Sequence, residues 1–150
     1  MILYLDTSAL VKLIVPEHRS PDAIAWFKAA DLVASSVITY AEACSALGQN
    51  DRREKARASR LRQWLAGLEE HWRDVMQVPV TERLAGRLAL ARGLRGMDAL
   101  QLAAAITLRD ELKAKAAGDR VQDVVFAAFD RRLLEAAECE GFATLGGPLK

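Results

Sequence analysis

Short runs of largely apolar residues recur along this chain, each followed by a longer stretch with helical spacing, and this alternation constrains the fold more than any other feature. A strand with one face in water alternates apolar and polar residues, whereas a strand covered on both faces is apolar throughout. The runs Ile2–Leu5, Leu32–Ser35, Val75–Val80, Val124–Phe129 and Ala143–Leu145 read as strands of the second kind. Strands separated by helices cannot be joined by tight hairpins, so they pair in parallel, with helices on both sides of the sheet. The expected fold is a helix-rich three-layer α/β/α sandwich with a mainly parallel, about five-stranded sheet.

The helical stretches carry start and stop signals. Ser20-Pro21 reads as an N-cap followed by a first-turn proline. Ser36 is placed to cap Val37–Gly48, and Asp51 to cap a long helix reaching about Trp72. Thr81 precedes Glu82 and a periodic run to Leu94. Met97–Lys115 follows, and Arg131–Glu140 stops at Gly141.

The chain has 150 residues, and no repeat or linker divides it, so a single domain over 1–150 is expected. Its 21 Lys and Arg nearly balance 20 Asp and Glu, so net charge singles out no partner. No apolar run is long enough to span a bilayer. Asp6 interrupts the apolar start and no basic leader precedes it, which argues against a secretory signal. Cys44 and Cys139 lack a CxxC spacing, so a reduced, cytoplasmic protein is expected.

The acids draw attention next. In an open parallel sheet, ligands bind at the carboxyl ends of the strands. Asp6 and Asp130 each stand at such an end, in "YLDTSALVKL" and "FAAFDRRLLEAA", and each immediately precedes a helix. Asp98, in "RGMDALQLAAAITL", starts a helix apolar nearly all round, with Gly96 before it permitting a sharp entry or a close approach. Capping would explain each aspartate taken singly. It does not explain Glu42, almost the only charge in "SSVITYAEACSALG", which shares a helix side with Ile38 and Ser45. Carboxylates crowded into one pocket repel unless a cation neutralises them, and oxygen-only donors suit Mg²⁺ or Mn²⁺. A divalent ion so held can activate water and stabilise an in-line phosphoryl displacement.

These segments, in this order, resemble the PIN domain family, and within it the VapC toxins of bacterial type II toxin–antitoxin pairs. "YLDTSALVKL", "SSVITYAEACSAL", "RGMDALQLAAA" and "FAAFDRRL" look like the family's four acidic motifs. The resemblance implies a magnesium- or manganese-dependent endoribonuclease that leaves 5′-phosphate and 3′-hydroxyl ends. It also implies a homodimer and a VapB-like antitoxin whose tail fills the groove. Carried over, Asp6, Glu42, Asp98 and Asp130 form the catalytic, metal-binding cluster. Asp6 and Asp98 are then direct ligands, while Glu42 and Asp130 complete the site directly or through water. Ser8 either supports a ligand carboxylate or bonds its own backbone. Two positions depart from the pattern. Ala128 stands where a Ser, Thr or Asn is frequent, and Gln101 where a His is frequent.

Other signals are weaker. "DRREKARASRLRQWL" is the most basic stretch and would suit either an RNA backbone or a solvated helix face. Arg131, beside Asp130, is a candidate for a substrate phosphate. Trp26, Trp64 and Trp72 read as packing residues. His18 and His71 lack zinc-ligand spacing, and neither a P-loop nor GxGxxG is present. Two alternatives remain: a PIN-like module that binds RNA or protein without cutting, and a small-phosphoester phosphatase. The phosphatase would want a second Asp where Ser8 stands.

Overall fold

The computed structural model describes residues 1–54, 58–116 and 122–147. Lys55 and Arg57 of the basic stretch lie outside them. The elements follow in the order β1 (Ile2–Leu5), α1 (Thr7–Ile14), α2 (Ser20–Ala29), β2 (Leu32–Ser36), α3 (Thr39–Glu54), α4 (Ala58–Trp72) and β3 (Val75–Val78). Then come α5 (Glu82–Arg92), α6 (Gly96–Lys115), β4 (Val124–Ala128), α7 (Arg131–Cys139) and β5 (Ala143–Gly146). The strands form one parallel sheet in the order β3-β2-β1-β4-β5. Expectation and structure agree on the sandwich and on all five strand runs.

The doubly covered sheet explains the apolar runs. Leu3 and Leu5 of β1 face a layer containing Leu10 of α1, Leu47 of α3 and Leu68 of α4. Ile2 and Tyr4 face the opposite layer, with Leu88 of α5, Leu102 of α6 and Leu133 of α7. Neither face of β1 meets water, so neither tolerates a polar alternation. Among the described residues no helix is long and apolar enough to cross a membrane.

Several boundaries differ from expectation. Ser36 does not cap a helix; it pairs with Val78 inside the sheet, and the ladder carries on to Val37 N–H donating to the Val78 carbonyl. Its hydroxyl still turns the chain by accepting from Ile38 N–H (3.4 Å), and α3 begins later, at Thr39. Asp51 lies inside α3 rather than at a cap, because buried Ala43 and Leu47 carry the helix through Gly48. The cost of one helical glycine, about 1 kcal/mol, is too small to end it. Ser20 is the first residue of α2, not its cap; the cap is Arg19, in the left-handed region (φ 65°). The serine hydroxyl instead donates to the Val15 carbonyl (2.9 Å) and accepts from Glu17 N–H (3.0 Å). The sharp turn before α6 is made at Gly93 (φ 64°), whereas a Cβ at Gly96 would meet open space.

Candidate active site

Strand order reverses at β1, which pairs with β2 on one side and β4 on the other. The helices leaving β1 and β4 diverge there, and a crevice opens at the carboxyl edge. A cleft of about 890 Å³ occupies this place, and Asp6, Ser8, Glu42, Asp98 and Asp130 all line it.

Asp6 follows β1 directly and caps α1. Its Oδ2 accepts from Ser8 N–H (3.0 Å) and from the Ser8 hydroxyl (2.6 Å). That hydroxyl in turn accepts from Phe129 N–H (2.9 Å), which ties Asp6 to the end of β4. Of the two readings open for Ser8, the carboxylate contact is the one its hydroxyl makes. Asp6 is only 6% exposed. Burial pushes its carboxyl up from 3.8 to about 6; the Ser8 hydrogen bonds oppose the rise and the charge of Glu42 adds to it.

Glu42 lies in the first turn of α3. Its Oε2 accepts from the Thr7 hydroxyl (2.7 Å) and from Gln101 Nε2 (2.6 Å). Asp98 is not the cap of α6, since the helix begins at Gly96 with Arg95 as cap. It sits in the first turn instead, where the helix dipole favours a carboxylate. Asp130 caps α7, accepting from Leu133 N–H (2.9 Å). Arg95 joins the last two acids, with Nε donating to Asp98 (3.0 Å) and a second guanidinium nitrogen 3.7 Å from Asp130.

Arg131 is not brought to this cleft. Its guanidinium pairs with Glu135 one turn along α7 (2.7 Å), and it lines a separate depression beside Glu138 and Thr144. The cations that do line the cleft are Lys12 and Arg95. Lys12 is 4% exposed, bonded to the His18 carbonyl (2.9 Å) and Glu17 (3.0 Å), with its ammonium over the Phe129 ring. The tryptophans pack: Trp26 stacks on Phe129, Trp72 leans on Tyr40, and Trp64 is buried. Ala128 is fully buried against the α5–α7 layer, so its methyl fills core.

Of the groups under the acids, sequence reasoning named Gln101, as a departure from the family pattern, and missed Tyr4, Thr7, Ser35 and Thr39. Buried Thr39 and Gln101, with half-buried Thr7, form a polar layer beneath Glu42, and buried Tyr4 and Ser35 extend it. The Tyr4 hydroxyl is pushed well above its usual range by burial, with the charge of Asp6 adding to the shift. The one available signal was the amide in "ALQLAAA", a polar residue at the centre of an apolar helix. The donor set is all oxygen and suits a hard cation in kind. It is not drawn together: among the described residues no three His, Cys, Asp or Glu side chains converge as a metal-binding group.

A family model for the PIN domain matches residues 3–138. The chain belongs to the PIN domain family. It is 34% identical over 143 residues to Ribonuclease VapC45 of Mycobacterium tuberculosis (strain CDC 1551 / Oshkosh), across 93% of this chain and 92% of that protein. Solved structures share the PIN fold at lower identity. One is VapBC2 from Rickettsia felis bound to a DNA fragment from their promoter (TM-score 0.60, 15% identity, 97% of this chain and 98% of that one). Another is Mycobacterium tuberculosis VapC20, a sarcin–ricin loop cleaving toxin (TM-score 0.59, 20% identity, 94% and 96%).

Proposed function

We propose that this PIN-domain chain is a VapC-type endoribonuclease, the toxin of a type II toxin–antitoxin pair, using Mg²⁺ or Mn²⁺ held by Asp6, Glu42, Asp98 and Asp130. One observation carries the reading: acids from four separate stretches of sequence line a single cleft at the carboxyl edge of the sheet. The ribonuclease name of the VapC45 relative agrees with it.

The candidate donors are all oxygens, which suits such an ion in kind. Asp6 is desolvated and lies within the field of Glu42, so the pair holds negative charge that a cation would relieve. Asp6 and Asp98 would bind it directly, and Glu42 and Asp130 directly or through water. When bound, it would supply water activation and neutralise charge on the phosphoryl oxygens of an in-line displacement. The chain's own groups prepare the rest. Ser8 aims Oδ2 of Asp6, and Thr7 with Gln101 aims Glu42. Arg95 neutralises Asp98 and Asp130 from the mouth of the cleft, where its side chain is 77% exposed. Its planar guanidinium suits the phosphate of an arriving RNA.

Purified protein should cleave single-stranded RNA with Mn²⁺ or Mg²⁺ and stop on EDTA addition, and Asp6→Asn or Asp98→Asn should be inactive. Full cleavage in EDTA, or by both variants, would overturn the proposal. A module that binds without cutting would instead show no Asp6-dependent Mn²⁺ binding by calorimetry. The antitoxin is tested by growth arrest on expression, relieved by co-expressing a short neighbouring reading frame.

A further inference from the structure

Gln101 is 1% exposed at the centre of α6, among Ala and Leu side chains. A primary amide there needs partners for two donors and an acceptor, or its buried polar atoms are left unsatisfied. It has them on both sides. Its Oε1 accepts from the Tyr4 hydroxyl (2.9 Å). Its Nε2 lies 2.6 Å from Glu42 Oε2, 2.9 Å from the Thr39 hydroxyl and 3.1 Å from the Thr7 hydroxyl. Thr39 is itself fully buried and bonded to the Ser35 hydroxyl (2.8 Å), which also donates to the Leu5 carbonyl (2.6 Å).

We infer that Gln101 is a positioning residue: Tyr4 fixes the direction of its amide, and the amide holds Glu42 in the cleft beside Asp6. This rests on the reading of Glu42 as an active-site acid.

The two ends of an amide are nearly alike in shape, so only their partners decide which way it points. The Tyr4 hydroxyl donates to the amide oxygen, which can only accept. The nitrogen is then turned towards Glu42. Reversed, the amide oxygen would face a carboxylate, two acceptors without a proton between them. Tyr4 is held for this task by the sheet, stacked on Phe126 with ring centroids 5.3 Å apart. The second donor to Glu42, Thr7, directly follows Asp6, so both acids are referred to the end of β1. Buried Asp6 and half-buried Glu42 repel each other across the cleft. The donors from Thr7 and Gln101 hold Glu42 against that repulsion.

The same logic explains why a histidine could replace the amide. A neutral imidazole has one acceptor nitrogen and one donor N–H, so it could accept from Tyr4 and donate to Glu42. Leucine has similar bulk and neither group.

The test reads Glu42 directly. In full-length protein with ¹³C-labelled glutamate carboxyls, Glu42→Gln assigns the Glu42 resonance. Tyr4→Phe removes one hydroxyl that does not touch Glu42, and should move that resonance while the protein stays folded. Gln101→Leu should move it further, and Gln101→His should restore most of its position. An unchanged Glu42 resonance in both Tyr4→Phe and Gln101→Leu would overturn the inference. Calorimetry with Mn²⁺ adds a double-mutant cycle. Gln101→Leu should weaken binding roughly ten- to hundredfold, as loss of an outer partner of a ligand does. In a Glu42→Gln background the same change should do little more. Additive losses would show Gln101 acting by another route and overturn the inference. If Glu42→Gln alone left Mn²⁺ binding and cleavage intact, the assignment of Glu42 to the active site would fail, while the resonance shifts would still decide the positioning.

Discussion

Asp6 and Asp130 stand in the same local grammar, a parallel strand running into a helix that the aspartate caps, yet their surroundings differ sharply. Asp6 is 6% exposed, and its carboxyl is raised to about 6. The Asp130 side chain is 37% exposed and faces the guanidinium of Arg95. The difference lies in what covers each junction. Asp6 sits just past the end of the central strand, close to the charge of Glu42, with the hydroxyl of Ser8 on its carboxylate. Asp130 lies at the rim, where water shares the load. Equal sequence grammar thus yields one acid buried away from water, whose charge is costly to keep, and one left at the surface beside a guanidinium. The buried acid has the most to gain from a cation.

The comparison can be broken most directly by Asp6→Asn. Asparagine keeps the cap, so the substitution removes charge and little else. RNA cleavage should fall by more than the roughly ten- to hundredfold expected for an outer partner of a metal ligand. Metal-free protein at pH 7 should become more stable, by up to about 3 kcal/mol for a shift from 3.8 to about 6 at 1.36 kcal/mol per unit. Urea melts in EDTA, beside cleavage assays, would check both; a loss of metal-free stability would mean that Asp6 serves the helix rather than a cation.

The pH dependence follows from the same group. The folded state holds the Asp6 proton more tightly than the unfolded chain does. Its contribution to stability is therefore fully present below about pH 4 and is lost as pH rises through about 6. The difference between wild type and Asp6→Asn in EDTA should widen over that window and level off above it. Mn²⁺ binding should show the reverse trend, strengthening as pH rises through about 6, because the ligand must first lose its proton. Calorimetry at pH 5 and pH 7 measures this, and a flat affinity would contradict the raised carboxyl.

Ser8→Ala removes the hydroxyl between the two junctions. It leaves Phe129 N–H without its acceptor and takes one donor from Asp6, for a loss of about 1–3 kcal/mol of stability in thermal or urea melts. The smallest effect is expected for Asp130→Asn, again with the cap retained. Metal-free stability should change by less than about 0.5 kcal/mol, as at other exposed sites. A destabilisation as large as that of Ser8→Ala would show that the rim acid is not as free as its exposure suggests.

Much of this was legible in the chain. Doubly apolar strands betray a parallel sheet because each covering layer excludes water from one face, and acids at strand ends mark its carboxyl edge. Boundaries were read less well where tertiary pairing overrode a local signal. Ser36 looks like a cap but is kept in the sheet by Val78, and Asp51 looks like a helix start but lies within α3. Arg131 looked well placed beside Asp130, yet one turn of helix sets it against Glu135, while Arg95 reaches the acids from another element.

By itself the sequence determined the sandwich and the family resemblance, and it picked out four acids that line one cleft, because periodicity and motif spacing are local properties of the chain. Only the tertiary structure decided which acid loses its water and which side chains hold the others. Tyr4, Thr7, Glu42 and Gln101 come from three segments that meet only when both helical layers close over the sheet. Desolvation and hydrogen-bond direction depend on that meeting, and no stretch of sequence contains it.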